Sequence, residues 1–102
     1  MRDEIDLDTD MIAALARLAV RVGVNLQPDQ ELLMTAPTSA LPLARAITAE
    51  AYRVGARLVT PILSDAEVTR ARFAHGHDAG FDHAPGWLYD GMAEAYARGA
   101  AR

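Results

Sequence analysis

The chain has 102 residues, 51% of them hydrophobic, so it forms one domain or part of one with enough apolar side chains for a core. Its net charge of −4 and pI near 5.2 exclude the basic face that nucleic acid requires and offer nothing to an anionic membrane surface. The absence of cysteine excludes thiol catalysis, thiolate metal sites and disulfides.

All ten positive charges are arginine. The acidic start, Met-Arg-Asp-Glu-Ile-Asp-Leu-Asp, has no apolar signal-peptide core. No apolar run approaches the roughly 20 residues that span a bilayer. The expectation is a soluble, cytoplasmic protein with no nucleic-acid or membrane partner.

The first periodic segment predicts a helix over Thr9 to Val22, with Ile12, Leu15, Ala16, Ala19 and Val22 as its apolar stripe. Asp8, Thr9 and Asp10 are N-cap candidates, Arg17 and Arg21 suit the C-terminal end, and Gly23 suits a left-handed stop. Gln27-Pro28-Asp29-Gln30 reads as a turn. Glu31 to Ala36 has the continuous apolarity of a strand buried on both faces, ended by Pro37. Thr38 or Ser39 is expected to cap a second helix with Pro42 in its first turn, Leu43, Ile47, Ala51 and Val54 on one face, and Gly55 at its end. Ala56 to Leu63 is the second strand, and Pro61 within it predicts an edge position or a strand end. Ser64-Asp-Ala-Glu67 is a capping-box pattern that opens a third helix, fraying near His75-Gly76. Ala79 to Ala84 reads as irregular. A fourth helix is expected over Pro85 to Arg98, with Trp87, Leu88, Met92 and Ala95 as its stripe and Gly91 weakening it.

Arg21-Val-Gly23 and Arg53-Val-Gly55 close successive helices that each lead toward a strand, and Arg98-Gly99 closes the fourth in the same manner. Alternation of this kind predicts an α/β fold: a parallel sheet, two strands of it encoded here, covered by about four helices through right-handed crossovers. The expectation is the N-terminal piece of a larger α/β domain, stopping just before a third strand.

Few residues suggest chemistry. His75, His77, Asp78, Asp82 and His83 gather imidazoles and carboxylates within nine positions, donor types that zinc accepts. The competing reading is a solvated loop with two glycines and no apolar anchors, and metal binding there is not the expectation. The Gly23 to Glu31 segment has one glycine and no lysine, unlike a phosphate loop. Ser39 and Ser64 lack a nucleophile-elbow context and are read as N-caps. Tyr52, Tyr89, Tyr96 and Trp87 are read as packing or interface residues. No catalytic or cofactor-binding residue is nominated.

The stretches LAVRVGVNLQPDQELLMTAP, PLARAITAEAYRVGARLV, LSDAEVTRARF and WLYDGMAEAYARGAA together resemble the N-terminal domain of the bacterial thermophilic metallo-aminopeptidase family. The resemblance runs from about Met11 to Ala101. It implies a two-domain parent in which a C-terminal domain carries a catalytic glutamate and two divalent ions (zinc, cobalt or magnesium) held by Glu, His and Asp. It further implies homodimers whose N-terminal domains wall off a cavity containing the active sites. No ligand or catalytic position of the family maps onto this chain. The implied role is therefore restricting peptide access and assembling the particle, with the missing C-terminal domain as partner and no peptide cleavage by this chain alone. The alternative is a stand-alone α/β interaction or ligand-binding module, distinguished by what the gene encodes after Arg102.

Overall fold

The computed structural model describes residues 2–102, with side chains from residue 9 onward. Helix α1 spans Arg2–Leu18 and runs into a π-helical turn, Ala19–Gly23. Strand β1 is Glu31–Pro37, followed by a 3-10 turn over Thr38–Ala40 and helix α2, Leu41–Arg53. Strand β2 is Leu58–Ser64, helix α3 is Ala66–His75, a second 3-10 turn covers Asp78–Asp82, and helix α4 is Gly86–Ala97. The fold is α/β, as the alternation predicts. Strands β1 and β2 pair in parallel, with Glu31 opposite Leu58 and Met34 opposite Pro61.

The core is small and sits between the sheet and the α1–α2 pair. Val20, Leu26, Leu32, Ala51 and Val59 form its buried cluster, with Ile47, Val54, Met34 and Ala101 packed against it. Ala44, Ile47, Ala51 and Val54 give α2 its inward stripe at helical spacing, close to the predicted one. The molecule is a slab of 47 × 42 × 16 Å with a radius of gyration of 16.5 Å. A compact domain of this length has a radius near ~13 Å. Large apolar side chains accordingly remain exposed on α1, α3 and α4, among them Met11, Leu18, Val68, Phe73 and Trp87.

The start of the chain departs from expectation. Thr9 and Asp10 lie inside α1, not at its start; the side chain of Asp8 lies outside the described set. Ala16 and Val20 are buried, but Leu15 and Val22 are 50% and 68% exposed, so the inward stripe is rotated from the one predicted. The cause is the π turn. Val24 N–H donates to the Ala19 carbonyl (2.8 Å) and Leu26 N–H to the Val20 carbonyl (2.9 Å), which widens the helix end and turns both Val20 and Leu26 into the core. Gly23 is therefore not the left-handed stop; Asn25, at φ 53°, takes that conformation, which asparagine tolerates.

The other two glycine stops behave as predicted. Gly55 (φ 99°) and Gly99 (φ 94°) close α2 and α4 with the same pair of bonds. Ala56 N–H reaches the Ala51 carbonyl and Ala100 N–H the Ala95 carbonyl, both at 3.0 Å, while each glycine N–H reaches back to a tyrosine carbonyl, Tyr52 or Tyr96. The serine caps do not form. Ser39 lies in the 3-10 turn and Ala40 precedes α2 without a side-chain cap; Ser64 ends β2, and Asp65 caps α3 by accepting from Val68 N–H at 3.1 Å. The extended Pro37 backbone feeds the 3-10 turn first, which displaces the helix start from both hydroxyl residues.

Within the described residues β2 is an edge strand, as Pro61 predicts. That edge is closed chemically. Val59 N–H, which faces away from β1, donates to the Tyr52 hydroxyl at 3.0 Å, and Pro61, two residues on, has no N–H to offer. Ala101 lies on the far side of β1, in a parallel bridge to Leu32. This bridge thus lies on the opposite flank from β2.

Three consequences are measurable by urea unfolding and amide exchange. Gly55→Ala should cost about 1–2 kcal/mol, because alanine disfavours left-handed φ and its Cβ would press on Pro28. Gly23→Ala, at ordinary φ with open space, should be neutral or stabilising. Tyr52→Phe should cost about 1 kcal/mol and accelerate exchange at Val59.

Candidate functional site

The chain leaves the carboxyl end of β1 through α2 to reach β2 on one flank, then returns through α3 and α4 to Ala101 on the other. The helices take opposite faces: Met34 shares a cavity of about 270 Å³ with Leu41, Ala44 and Thr48 of α2, while Leu33 and Ile62 face α4. A reversal of this kind opens a crevice at the carboxyl ends of the strands, the usual ligand position in open α/β sheets. Here the residues at that position are Thr35, Ala36, Pro37 and Thr38 of β1 and its turn, with Ser64 at the end of β2 and Asp65 just beyond it. The Thr38 hydroxyl donates to Asp65 Oδ1 at 3.1 Å and ties the two strand exits together. Asp65 Oδ2 is engaged by the α3 N-terminus. Both oxygens thus have structural duties.

A wide groove lies between α4 and the sheet. It has a volume of about 520 Å³ and is lined by Leu33, Thr60, Ile62, Trp87, Leu88 and Met92. Trp87 stands at its rim, 80% exposed. Arg98 at one end pairs with Glu31 (3.5 Å) and Glu94 (2.9 Å). This groove can receive an apolar surface; its lining holds no nucleophile paired with a base.

The histidine candidates are dispersed. His75 ends α3, His77 Nδ1 accepts from Ala79 N–H at 3.3 Å, Asp78 and Asp82 lie in the second 3-10 turn, and His83 follows it. Among the described residues no three His, Asp or Glu side chains converge as metal ligands. The segment also has an anchor that sequence reading missed. Phe81 stacks on Phe73 (5.7 Å, 14°), Arg72 lies over the Phe81 ring (5.6 Å) and donates to the Gly80 carbonyl at 3.0 Å. A Cβ at Gly76 would collide with the Arg72 carbonyl, which fixes that glycine. The signal for this clip was two phenylalanines eight positions apart across a glycine-rich turn.

The strongest electrostatic feature is structural. Glu50, buried on α2, accepts from Arg21 Nε at 2.6 Å and Arg53 Nη1 at 2.9 Å. The Arg21 hydrogen bond, then the Arg53 one, hold its carboxyl below the ordinary glutamate range against the opposing effect of burial. Glu50 lies near the C-terminal end of α2, away from the strand exits, and clamps the π turn to that helix. Arg53 at i+3 was legible as a partner; Arg21, 29 residues away, was not. In the exposed Arg57–Asp29 pair, the hydrogen bond lowers the Asp29 pKa and raises that of Arg57, joining the turn before β1 to the start of β2.

A depressed folded-state pKa means that the Glu50 contribution is complete above the ordinary glutamate value and is lost as pH falls through the folded one. Unfolding free energy should therefore decline below the ordinary glutamate range. Glu50→Gln should lower stability at neutral pH and flatten that acid limb, measured by urea titrations across pH. An unchanged acid limb in Glu50→Gln would remove the clamp from the account.

Residues 8–102 match the family of thermophilic metalloproteases designated M29. The chain is 50% identical over 88 residues to aminopeptidase T of Thermus thermophilus, covering 86% of this chain and 22% of that protein. It is 41% identical over 86 residues to aminopeptidase 2 of Geobacillus stearothermophilus, with 84% and 21% covered. The solved structure of wild-type AmpT from Thermus thermophilus superposes with a TM-score of 0.81 at 47% identity, over 87% of this chain and 22% of that one. The chain thus spans about a fifth of the length of these relatives. With the α/β alternation and the family match running together from residue 8 to 102, the chain belongs to the M29 thermophilic metalloprotease family.

Proposed function

We propose that the chain serves as the N-terminal domain piece of a metal-dependent aminopeptidase, shaping peptide access and assembly while the chemistry is carried elsewhere in a longer protein. The observation behind this reading is the alignment: most of this chain, but about a fifth of aminopeptidase T, takes part in it. The two divalent ions implied for the family find no fitting ligand set among the described residues, where the candidate histidines stay apart. The Glu, His and Asp ligands and the catalytic glutamate are accordingly assigned to the remainder of the parent. Metal-activated water would there attack the first peptide bond of a substrate.

The exposed apolar side chains of α1 and α4 suit burial in a larger particle, and homo-oligomerisation in the cytoplasm is part of the same proposal. Among the described residues no helix is long and apolar enough to cross a membrane.

The reading is tested by exchange. This chain, substituted for the matching segment of aminopeptidase T, should preserve hydrolysis of aminoacyl-p-nitroanilides with added cobalt. The 102-residue chain alone should show none. A folded but inactive chimaera would overturn the domain role, and chelator-sensitive turnover by the chain alone would overturn the assignment of chemistry to the remainder.

A further inference from the structure

The outer edge of β2 is closed at its start and open at its end. Alternate residues of a strand turn their peptide groups to the same side, so Pro61 and Leu63 face away from β1 as Val59 does. Val59 N–H is taken by the Tyr52 hydroxyl, and Pro61 has no N–H. Leu63 N–H has no acceptor among the described residues. The face of α2 that carries Tyr52 also carries Thr48, Arg45 and Leu41, at spacings of four, three and four residues. Tyr52 meets the start of β2, and further along this face Arg45 shares the cavity of about 270 Å³ with Met34, Leu41 and the half-exposed Leu63. The Thr48 hydroxyl in that lining is committed to the Ala44 carbonyl at 2.8 Å. Arg45 is exposed, has no carboxylate partner among the described residues, and no acidic residue lines the cavity with it.

We infer that this end of the β2 edge is a carboxylate-anchoring pocket for the C-terminal residue of an apolar peptide, with the carboxylate held by the Arg45 guanidinium and Leu63 N–H and the last side chain in the cavity. The inference rests on the aminopeptidase reading for the source of its ligand. Three features select that ligand. An unpaired guanidinium beside a free backbone N–H calls for an anion, and a carboxylate takes charge-assisted bonds from both. The edge offers one N–H where a paired strand would need several, so it suits a chain end and not the middle of an extended segment. A cavity of about 270 Å³ lies below the roughly 300–1,000 Å³ of small-molecule sites. It has room for one aliphatic or aromatic side chain, and its lining of Met34, Leu41, Ala44, Pro61 and Leu63 would leave a charged one without a partner. A free amino acid is a poorer fit, because its ammonium would be brought close to Arg45. In a peptide the terminal charge of that sign lies at the far end.

The test titrates N-acetyl-alanyl-leucine into the intact chain, followed by NMR at the Leu63 amide and by calorimetry. A saturable shift of that amide is expected, with a dissociation constant of about 1 mM or below. The C-terminal amide of the same peptide should bind about tenfold more weakly, and so should the acid to Arg45→Gln. Arg45 is exposed, so this variant keeps the fold, and Arg45→Lys, which keeps the charge, should recover most of the binding. N-acetyl-alanyl-glycine, which leaves the cavity empty, should also bind more weakly than the leucine peptide. Equal binding of acid and amide, undiminished binding by Arg45→Gln, or no saturable shift at Leu63 up to about 10 mM would each overturn the pocket. Decanoate binding more tightly than the leucine peptide would overturn the peptide as its ligand. None of these readouts depends on peptidase activity. An active chimaera with an indifferent titration rejects the pocket alone, and a discriminating titration with an inactive chimaera rejects the aminopeptidase reading alone.

Discussion

Leu32 is the residue on which the rest of the structure depends. Its strand pairs with Val59 on one side and Ala101 on the other, and its side chain lies at the centre of the buried cluster. A two-stranded sheet has little stability by itself. What holds this one is the packing of the π turn and α2 over the even-numbered face of β1, with α1 packed in turn against α2. The sheet is thereby central in position although it has only two full strands. Both helices on that face are fastened by Glu50, whose two arginine partners come from different elements.

The two flanks of the sheet are unlike. On the β2 flank the backbone is closed by a tyrosine hydroxyl and a proline, devices that prevent edge-to-edge association. On the β1 flank the backbone is occupied at one position, by Ala101. The two faces are unlike as well: the α2 side encloses the core, whereas the α4 side leaves a wide apolar groove. The open flank and the open face are the surfaces that the proposed place in a longer protein would cover.

The legible parts of the sequence were those governed by local chemistry. Continuous apolarity marked β1, and Gly55 and Gly99 marked two helix ends because their positive φ is a property of the residue itself. Parallel pairing followed from alternation. The errors arose where a distant contact decided the outcome. Gly23 was read as a stop, but the burial of Val20 and Leu26 together widened the helix and passed the left-handed conformation to Asn25. Ser64 fitted the capping pattern, yet strand pairing ran through it and left the cap to Asp65. The dispersed histidines gave no site, and no local pattern could announce that Arg21 would meet Glu50 or that Tyr52 would guard Val59. The His75 to His83 segment was read as unanchored because a ring stack across a glycine turn has no periodic signature.

The π turn at Ala19–Gly23 also bears on how this sequence tolerates changes in length. Such a turn holds one residue more than the regular helical turn it replaces. Removing a single residue between Ala19 and Gly23 would let the helix close as a regular turn and leave the residues beyond the cut in phase, so the change would be confined to the turn itself. Val20 and Arg21, neighbours within it, face the core and Glu50 respectively. The extra residue thus widens the one turn that presents an aliphatic and a cation to two different neighbours, and a deletion there would narrow it.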